Sequence, residues 1–384
     1  MFIFSVMLLI NSVLTLAMLL AARTLGQPKV ALLLAASFGS TVLLYAVNAI
    51  YFFHFLGHIW INLMVAMVAM IPPIFAVSAY RLRAGLPSRH NLYIFSHLGA
   101  TLLILWFSVA MPHAGLRGAI VPLYSAMVLL FGITSMWRPG RPLQLGERPI
   151  IFSSCALAAI AAAGGTVLAL SGSVRSPAID GTYVLTVFIG LPAMTIAGGL
   201  FSLYLLAGDL AVRLRIAADT DSLTGAPNRR AIEATGTRMI NEARAGRKPL
   251  CVALCDIDRF KDINDLHGHG LGDDVLSRLA ALFREDMGKS DYFGRLGGEE
   301  FVLFFPELDA GAAHRRIEAM RNRIMLMCVG GLPVQFTASF GVAALSPEDR
   351  TLADILRRAD IALYASKQAG RNRTTIDRLA AVTE

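Results

Sequence analysis

Seven apolar stretches, each long enough to cross a bilayer, fill the first 207 positions, near 3–21, 30–53, 60–80, 92–111, 118–137, 150–171 and 183–207. A spanning helix needs roughly twenty such residues in a row. The chain is 55% hydrophobic and only 16% charged, too apolar for an ordinary soluble protein. Residues 1–207 therefore read as an all-α polytopic membrane domain of about seven helices.

Charge is divided between the halves. Residues 1–215 hold twelve Lys/Arg and three acids (Glu147, Asp180, Asp209), a net +9, whereas residues 216–384 are near neutral at −1. The basic excess flanks the apolar stretches, so it does not mark a nucleic-acid surface, which would need a basic patch on the soluble part. Loops rich in Lys/Arg stay in the cytoplasm. Arg23 with Lys29, Arg81 with Arg83 and Arg89, Arg138 with Arg141 and Arg148, and Arg213 with Arg215 alternate with loops carrying none, Arg117 alone or Arg175 alone. This places the N-terminus outside and the second half in the cytoplasm, as an odd number of spans also requires. Met1-Phe2-Ile3-Phe4-Ser5 lacks the positive side chain of a cleaved signal peptide. Pro72-Pro73 is expected to kink the third span. Cys155, Cys251, Cys255 and Cys328 form neither a disulfide framework nor a Cys/His metal spacing, and read as reduced, mostly buried thiols.

Residues 208–220 form a short amphipathic connector, expected to be helical and continuous with the seventh span. Beyond it lies one globular domain, 221–378, with strand-like segments at 249–257, 291–296, 301–306 and 335–345 and helical patterns at 228–245, 271–287, 310–328 and 351–369. Mixed strands and helices, with a hairpin between two strands, indicate an α+β sheet.

The chemistry concentrates at few places. Arg295-Leu296-Gly297-Gly298-Glu299-Glu300-Phe301 reads as a hairpin tip carrying acid, with glycines that allow a tight turn and close approach of a ligand. About forty residues earlier the apolar run Leu250–Cys255 ends in Asp256-Ile257-Asp258, a carboxylate at the rim of a sheet. Gly268, Gly270 and Gly272 then suggest a flexible loop, with Asp273 near a helix start, where an acid also suits the helix dipole. Lys367 and Arg371, four apart at a helix end, would share a face and could clamp a polyphosphate; alone they would be an ordinary solvated terminus. Acids at a strand end, acids at a hairpin tip and cations on a helix are what phosphoryl or nucleotidyl transfer requires.

The soluble half resembles the GGDEF domains of the diguanylate cyclase family, in the GGEEF variant, Gly297-Gly298-Glu299-Glu300-Phe301. Asp221 to Arg230 resembles the family's opening Asp-x-Leu-Thr-Gly-Leu-x-Asn-Arg, and Asp256 to Asp273 its Asp-Ile-Asp-x-Phe-Lys-x-x-Asn-Asp-x-x-Gly-His-x-x-Gly-Asp. Thr337 to Ala343 resembles its late strand, and Asp360 to Asn372 its closing Asp-x-Ala-Leu-Tyr-x-Ala-Lys-x-x-Gly-Arg-Asn. The resemblance implies a fold similar to the palm of nucleotide cyclases and polymerases. It implies conversion of two GTP into cyclic di-GMP and two pyrophosphates by a homodimer, each domain holding one GTP. By position, Asp256 and Glu299, with the Ile257 carbonyl, look like the ligands of Mg²⁺ (two ions per site, with Mn²⁺ as a substitute). Glu300 and Lys261 look catalytic, Glu300 as the acid beside the attacking ribose 3′-hydroxyl. Asn264 and Asp273 look like guanine readers, a chemistry that an amide and a carboxylate suit. Phe260 and Lys261, with Lys367 and Arg371, look like the triphosphate cradle.

Ala226 stands where the family usually has Leu, and His267 where many members carry an aromatic. Many members also carry a product-binding Arg-x-x-Asp before the hairpin. Here it is Gly288-Lys289-Ser290-Asp291, with the Asp retained and a glycine that cannot supply the bidentate guanidinium contact. The inhibitory site is therefore expected to be degenerate.

Seven spans exceed what an anchor needs, so sensing of an unidentified signal ligand is expected, in a bacterial inner membrane. His54 and His58, followed by Met64, Met67 and Met70, could hold a soft metal, although interfacial histidines and packed methionines are the ordinary explanation. His97 within the fourth span is expected to hydrogen-bond a neighbouring helix. The same residues admit two other functions. A degenerate receptor would bind GTP or cyclic di-GMP without turnover, but should have lost Asp256, Glu299 or Glu300. A transporter should carry buried charges within its spans, and these stretches hold almost none.

Overall fold

A computed structural model describes residues 2–54, 58–136, 146–171, 190–327 and 335–377. The chain divides into two compact units, Met1–Val212 and Arg213–Glu384.

The first unit is helical: α1 (Phe2–Thr24), α2 (Pro28–His54), α3 (Ile59–Ala69), α4 (Ile71–Arg83), α5 (His90–Val109), α6 (Ala114–Met136), α7 (Glu147–Ser171) and the start of α8 (Leu191–Asp219). Seven helical segments in the described residues are long and apolar enough to cross a membrane, α3 and α4 together making one of them. The predicted kink falls between those two, at Met70, with Pro72 and Pro73 in the first turn of α4, where a missing N–H costs nothing. Leu14, Met18, Leu34, Tyr80, Leu205 and Leu206 form one core, while Phe95, Phe152 and Leu170 are exposed apolar side chains. The described part of the seventh span runs without a break into the connector as one helix, α8, while residues 183–189 lie outside the described residues.

The unit also holds a buried ionic cluster. The Arg83 guanidinium donates to Asp209 through Nε and Nη2, each at 2.7 Å, and to Glu147 at 2.6 Å. Gln27 adds a bond to Asp209 at 2.5 Å. Charge is thus spent on joining the ends of α4 and α7 to α8. His97 meets Tyr124 of α6 edge-on at 6.3 Å, so its contact with the neighbouring helix is between rings rather than the expected hydrogen bond. Met70 is fully buried, Met64 and Met67 are exposed, and no cluster of three His, Cys, Asp or Glu suited to a metal occurs among the described residues.

The second unit is a five-stranded sheet in the order β2-β3-β1-β4-β5, with β1 (Leu250–Ile257), β2 (Tyr292–Gly297), β3 (Glu300–Pro306), β4 (Ala338–Ala344) and β5 (Thr374–Ile376). Only β4 and β5 pair in parallel. Alternation along the strands builds two cores. Cys251, Ala253, Cys255 and Ile257 of β1, with Phe301, Leu303 and Phe305 of β3, face α11 (His269–Asp286) and α12 (Ala310–Met325). Leu250, Val252 and Leu254, with Val302 and Phe304, face α9 (Arg229–Gly246) and α13 (Leu352–Gln368). Burial on both faces is why β1 and β3 read as continuous apolar runs. Burial pushes the Cys251 thiol up to about 12, and the Cys255 thiol also well up, in keeping with inert buried thiols.

The mixed α+β sheet agrees with expectation, but several details differ. A helix, α10 (Phe260–His267), lies where no element was expected, and β5 was not foreseen. The glycine-rich segment 268–272 is not a loop, because α11 starts at His269. Gly272 is required there by packing: a Cβ would lie 1.9 Å from Asn264 Oδ1 and 3.2 Å from the Phe260 ring. Arg371 does not share a helical face with Lys367. α13 ends at Gln368, and Arg371 and Asn372 take left-handed φ values of 63° and 46°. Cys328, Arg138, Arg141, Arg175 and Asp180 fall outside the described residues.

Candidate active site

Two strands bring the first acids together. Asp256, near the end of β1, is the Cα partner of Glu300 at the start of β3 and of Ser339 on β4. Alternation puts Asp256 and Glu300 on the same face, the one α13 covers. Like charges directly opposite one another in an antiparallel pair are unfavourable. A cross-strand acid pair at a sheet rim is thus a cost to folding unless a cation offsets it.

The hairpin sets the next acid. Gly297 pairs with Glu300, leaving Gly298 and Glu299 as a two-residue loop. Gly298 has φ of 50°, in the left-handed region that favours glycine. The tip is gripped from behind. Arg295 donates to the Gly298 carbonyl at 2.9 and 2.7 Å and pairs with Asp221 at 2.9 Å. Asp221 also accepts from the Thr224 amide and hydroxyl. Burial opposes its ionisation, but these bonds and the Arg295 charge prevail and hold the carboxyl below the ordinary range.

Of the expected cations, one meets an acid directly. Lys367, expected on the triphosphate, sits with Nζ 2.7 Å from Asp256 Oδ2. Ser366 beside it pins the last turn of α13 to β4 through a 2.7 Å bond to the Phe340 carbonyl. Lys261 is exposed on α10, and Arg371 is exposed beyond α13. The part-buried Phe260 ring packs on the sheet's core, and its backbone lies in the first turn of α10, where N–H groups lack helical partners.

Electrostatics bind the acids into one site. Burial pushes the Asp256 carboxyl above its usual range; Lys367 pulls it back in part, and Glu299 and Asp258 push it further up. Glu300 is raised by burial and by Asp256, with Lys367 opposing and Asp360 and Glu299 adding. Leu254, Leu296, Leu356, Glu300 and Asp360 border a cleft of about 460 Å³. Carboxylates held partly dry and mutually repelling suit a divalent cation, and Mg²⁺ asks for only one or two protein carboxylates. The buried Ile257 and Asp256 share this strand end. Across the same domain, Asn264 Oδ1 on α10 is buried without a hydrogen-bond partner among the described residues, and Asp273 is exposed on α11.

Two positioning residues were not singled out in the sequence. Asp258 is buried and accepts from Thr337 and Ser339 hydroxyls at 2.7 Å and from the Asn372 amide at 3.0 Å. Arg295 lies inside the hairpin run itself. The period-2 pattern of β1 pointed to Asp258, but its partners are 79 to 114 residues away. At the segment expected to be a degenerate inhibitory site, Asp291 is paired with Arg316 at 2.6 Å and accepts from the Gly288 amide, also at 2.6 Å.

The family model for the GGDEF domain of diguanylate cyclases matches residues 218–373. A diguanylate cyclase of Vibrio cholerae is 39% identical over 161 residues, 42% of this chain and 50% of that protein. Diguanylate cyclase DgcM of Escherichia coli K12 is 38% identical over 161 residues, 42% of this chain and 39% of DgcM. The chain thus spans half or less of these relatives. Among solved structures, the active GGEEF domain of a diguanylate cyclase from Vibrio cholerae is 38% identical, covering 39% of this chain and 97% of that one at a TM-score of 0.38. The GGDEF domain of DgcB from Caulobacter crescentus, in complex with c-di-GMP, is 34% identical, covering 42% of this chain and 96% of that one at a TM-score of 0.40.

Proposed function

Residues 218–373 are a GGDEF domain of the diguanylate cyclase family, and from that premise we propose that the chain is a membrane-bound diguanylate cyclase. Two GTP become cyclic di-GMP and two pyrophosphates. The ribose 3′-oxygen of each nucleotide forms a bond to the α-phosphorus of the other. The bond from that phosphorus to the bridging oxygen breaks, and pyrophosphate leaves with its electrons. The reaction needs two domains face to face, hence a homodimer.

In this reading the residues divide the work as the family resemblance implies. Glu300, raised above an ordinary glutamate by burial and by Asp256, accepts the 3′-hydroxyl proton. Asp256, Glu299 and the Ile257 carbonyl would hold Mg²⁺, or Mn²⁺ in its place, two ions per site, which when bound would supply charge neutralisation at the phosphates. Lys261, Lys367, Arg371 and the backbone at the start of α10 take the triphosphate; helix N-termini favour phosphate. The orphaned Asn264 carbonyl and Asp273 accept from guanine N–H groups. Residues 1–207 anchor and regulate the enzyme in a bacterial inner membrane, with the GGDEF domain in the cytoplasm. Gly288 in place of the inhibitory arginine, with Asp291 alone retained, leaves the product no strong site there.

The observation that carries this reading is the Asp256–Glu300 cross-strand pair beside a hairpin tip fixed by Arg295. Purified protein given GTP and Mg²⁺ is expected to form cyclic di-GMP, and Glu300→Gln is expected to form it at least about a hundredfold more slowly. Absence of product from the wild type under either Mg²⁺ or Mn²⁺ rejects the enzymatic assignment.

A further inference from the structure

We propose that Lys367 is an internal stand-in for the metal, so that a divalent cation enters this site together with a nucleoside triphosphate and not before it. The inference rests on the cyclase function above, from which it takes metal and substrate, but it concerns the order in which they bind.

Lys367 Nζ sits 2.7 Å from Oδ2 of Asp256, one of the two carboxylates proposed to hold the metal. It is the cation that acts on both Asp256 and Glu300, against the combined push of Glu299 and Asp360. An ammonium and a divalent ion on one carboxylate repel each other strongly in a partly dry site. Metal arriving alone must therefore expel Lys367 into water and accept one or two carboxylates in return. Without phosphate oxygens the rest of the ion's shell is water, so the gain is small.

A triphosphate changes both sides of the exchange. It brings oxygens that complete the metal's shell, and it offers Lys367 a new anionic partner. The lysine stem is flexible, and its head is a point charge that can swing between the two. Its root stays fixed, because Ser366 ties the last turn of α13 to the Phe340 carbonyl. The ion pair thus keeps the acids from repelling one another while the site awaits substrate, and gives way as substrate arrives.

The test measures Mn²⁺ uptake by electron paramagnetic resonance on the full chain in detergent micelles, with no turnover involved. Wild type is expected to bind Mn²⁺ alone about ten- to a hundredfold more weakly than with guanosine 5′-(α,β-methylene)triphosphate present, the equilibrium worth of a hydrogen bond to a charged group. Lys367→Met is expected to recover about ten- to a hundredfold of nucleotide-free Mn²⁺ affinity by the same reckoning, while Lys367→Arg behaves as wild type. Equal nucleotide-free affinity in wild type and Lys367→Met overturns the proposal. So does a wild type that binds Mn²⁺ as tightly without the analogue as with it, an outcome that needs no variant to fold. A protein that makes no cyclic di-GMP would remove the enzymatic reading and leave this metal comparison standing.

Discussion

The Arg295 side chain reaches back over its own hairpin to donate two hydrogen bonds to the carbonyl of Gly298, at 2.7 and 2.9 Å. The same guanidinium is anchored by Asp221, so the opening segment of the domain fixes the tip that carries Glu299 and Glu300.

Arg295→Lys should therefore lower turnover far more than stability. A lysine keeps the charge but not the planar fork, and misplacing a reacting group by about 1 Å can cost roughly a hundredfold in rate. The loss of hydrogen bonds to a charged group costs about 1.5–3 kcal/mol, discounted here because the pair is partly exposed. Cyclic di-GMP formation measured beside thermal melts separates the two effects; a stability loss with turnover intact would show that the clasp does not position the site.

Glu300→Gln should reduce the rate by about 10²- to 10⁴-fold, the usual worth of a positioned proton acceptor, and should raise the melting temperature. Its sign with pH is distinctive. A carboxyl raised on folding binds more protons in the folded state, so its share of stability is present at low pH and falls as pH rises through the window above its ordinary value. The rate moves oppositely, rising through that same window as Glu300 ionises. Melts and rates across pH, compared between wild type and Glu300→Gln, isolate this group from the rest; a variant that melts earlier at neutral pH contradicts the repulsion described here.

Added cyclic di-GMP should leave the rate unchanged. Asp291 is already engaged by Arg316 and by the Gly288 amide, and the position three residues earlier has no side chain. Strong inhibition at low micromolar product, abolished by Asp291→Ala, would refute this.

Arg83→Ala should destabilise the helical unit severely, because Glu147 and Asp209 would lose their shared partner; removing one member of a buried ion pair costs about 3–5 kcal/mol. Arg83→Lys should recover only part, since an ammonium cannot serve both Asp209 oxygens and Glu147 together. Detergent melts of the three proteins check the order wild type, Lys, Ala.

What the sequence disclosed was what short-range chemistry encodes. The apolar run into Asp256, the Gly297-Gly298 turn and the amphipathic helices are local patterns, and each lies where it was expected. The α10 helix escaped because eight residues carry too little periodicity to register, and glycines at 268–272 pointed to a loop. Gly272 is there because Asn264 occupies the space of its side chain, a fact no window of sequence contains. Lys367 and Arg371 seemed to share a face because four-residue spacing implies one only while the helix continues, and α13 stops between them. The Lys367–Asp256 pair joins residues far apart in the chain, so only the sheet and its covering helix bring them together.

Asp258 is the knot that ties β1 to the start of β4 and to the amide of Asn372, 114 residues downstream. During vectorial synthesis on the ribosome, the sheet's central strand emerges long before the last donor to this carboxylate. Until residue 372 has left the exit tunnel this carboxylate has at most two of its three donors in reach, so the join between the sheet's centre and the segment after α13 is completed only at the end of synthesis.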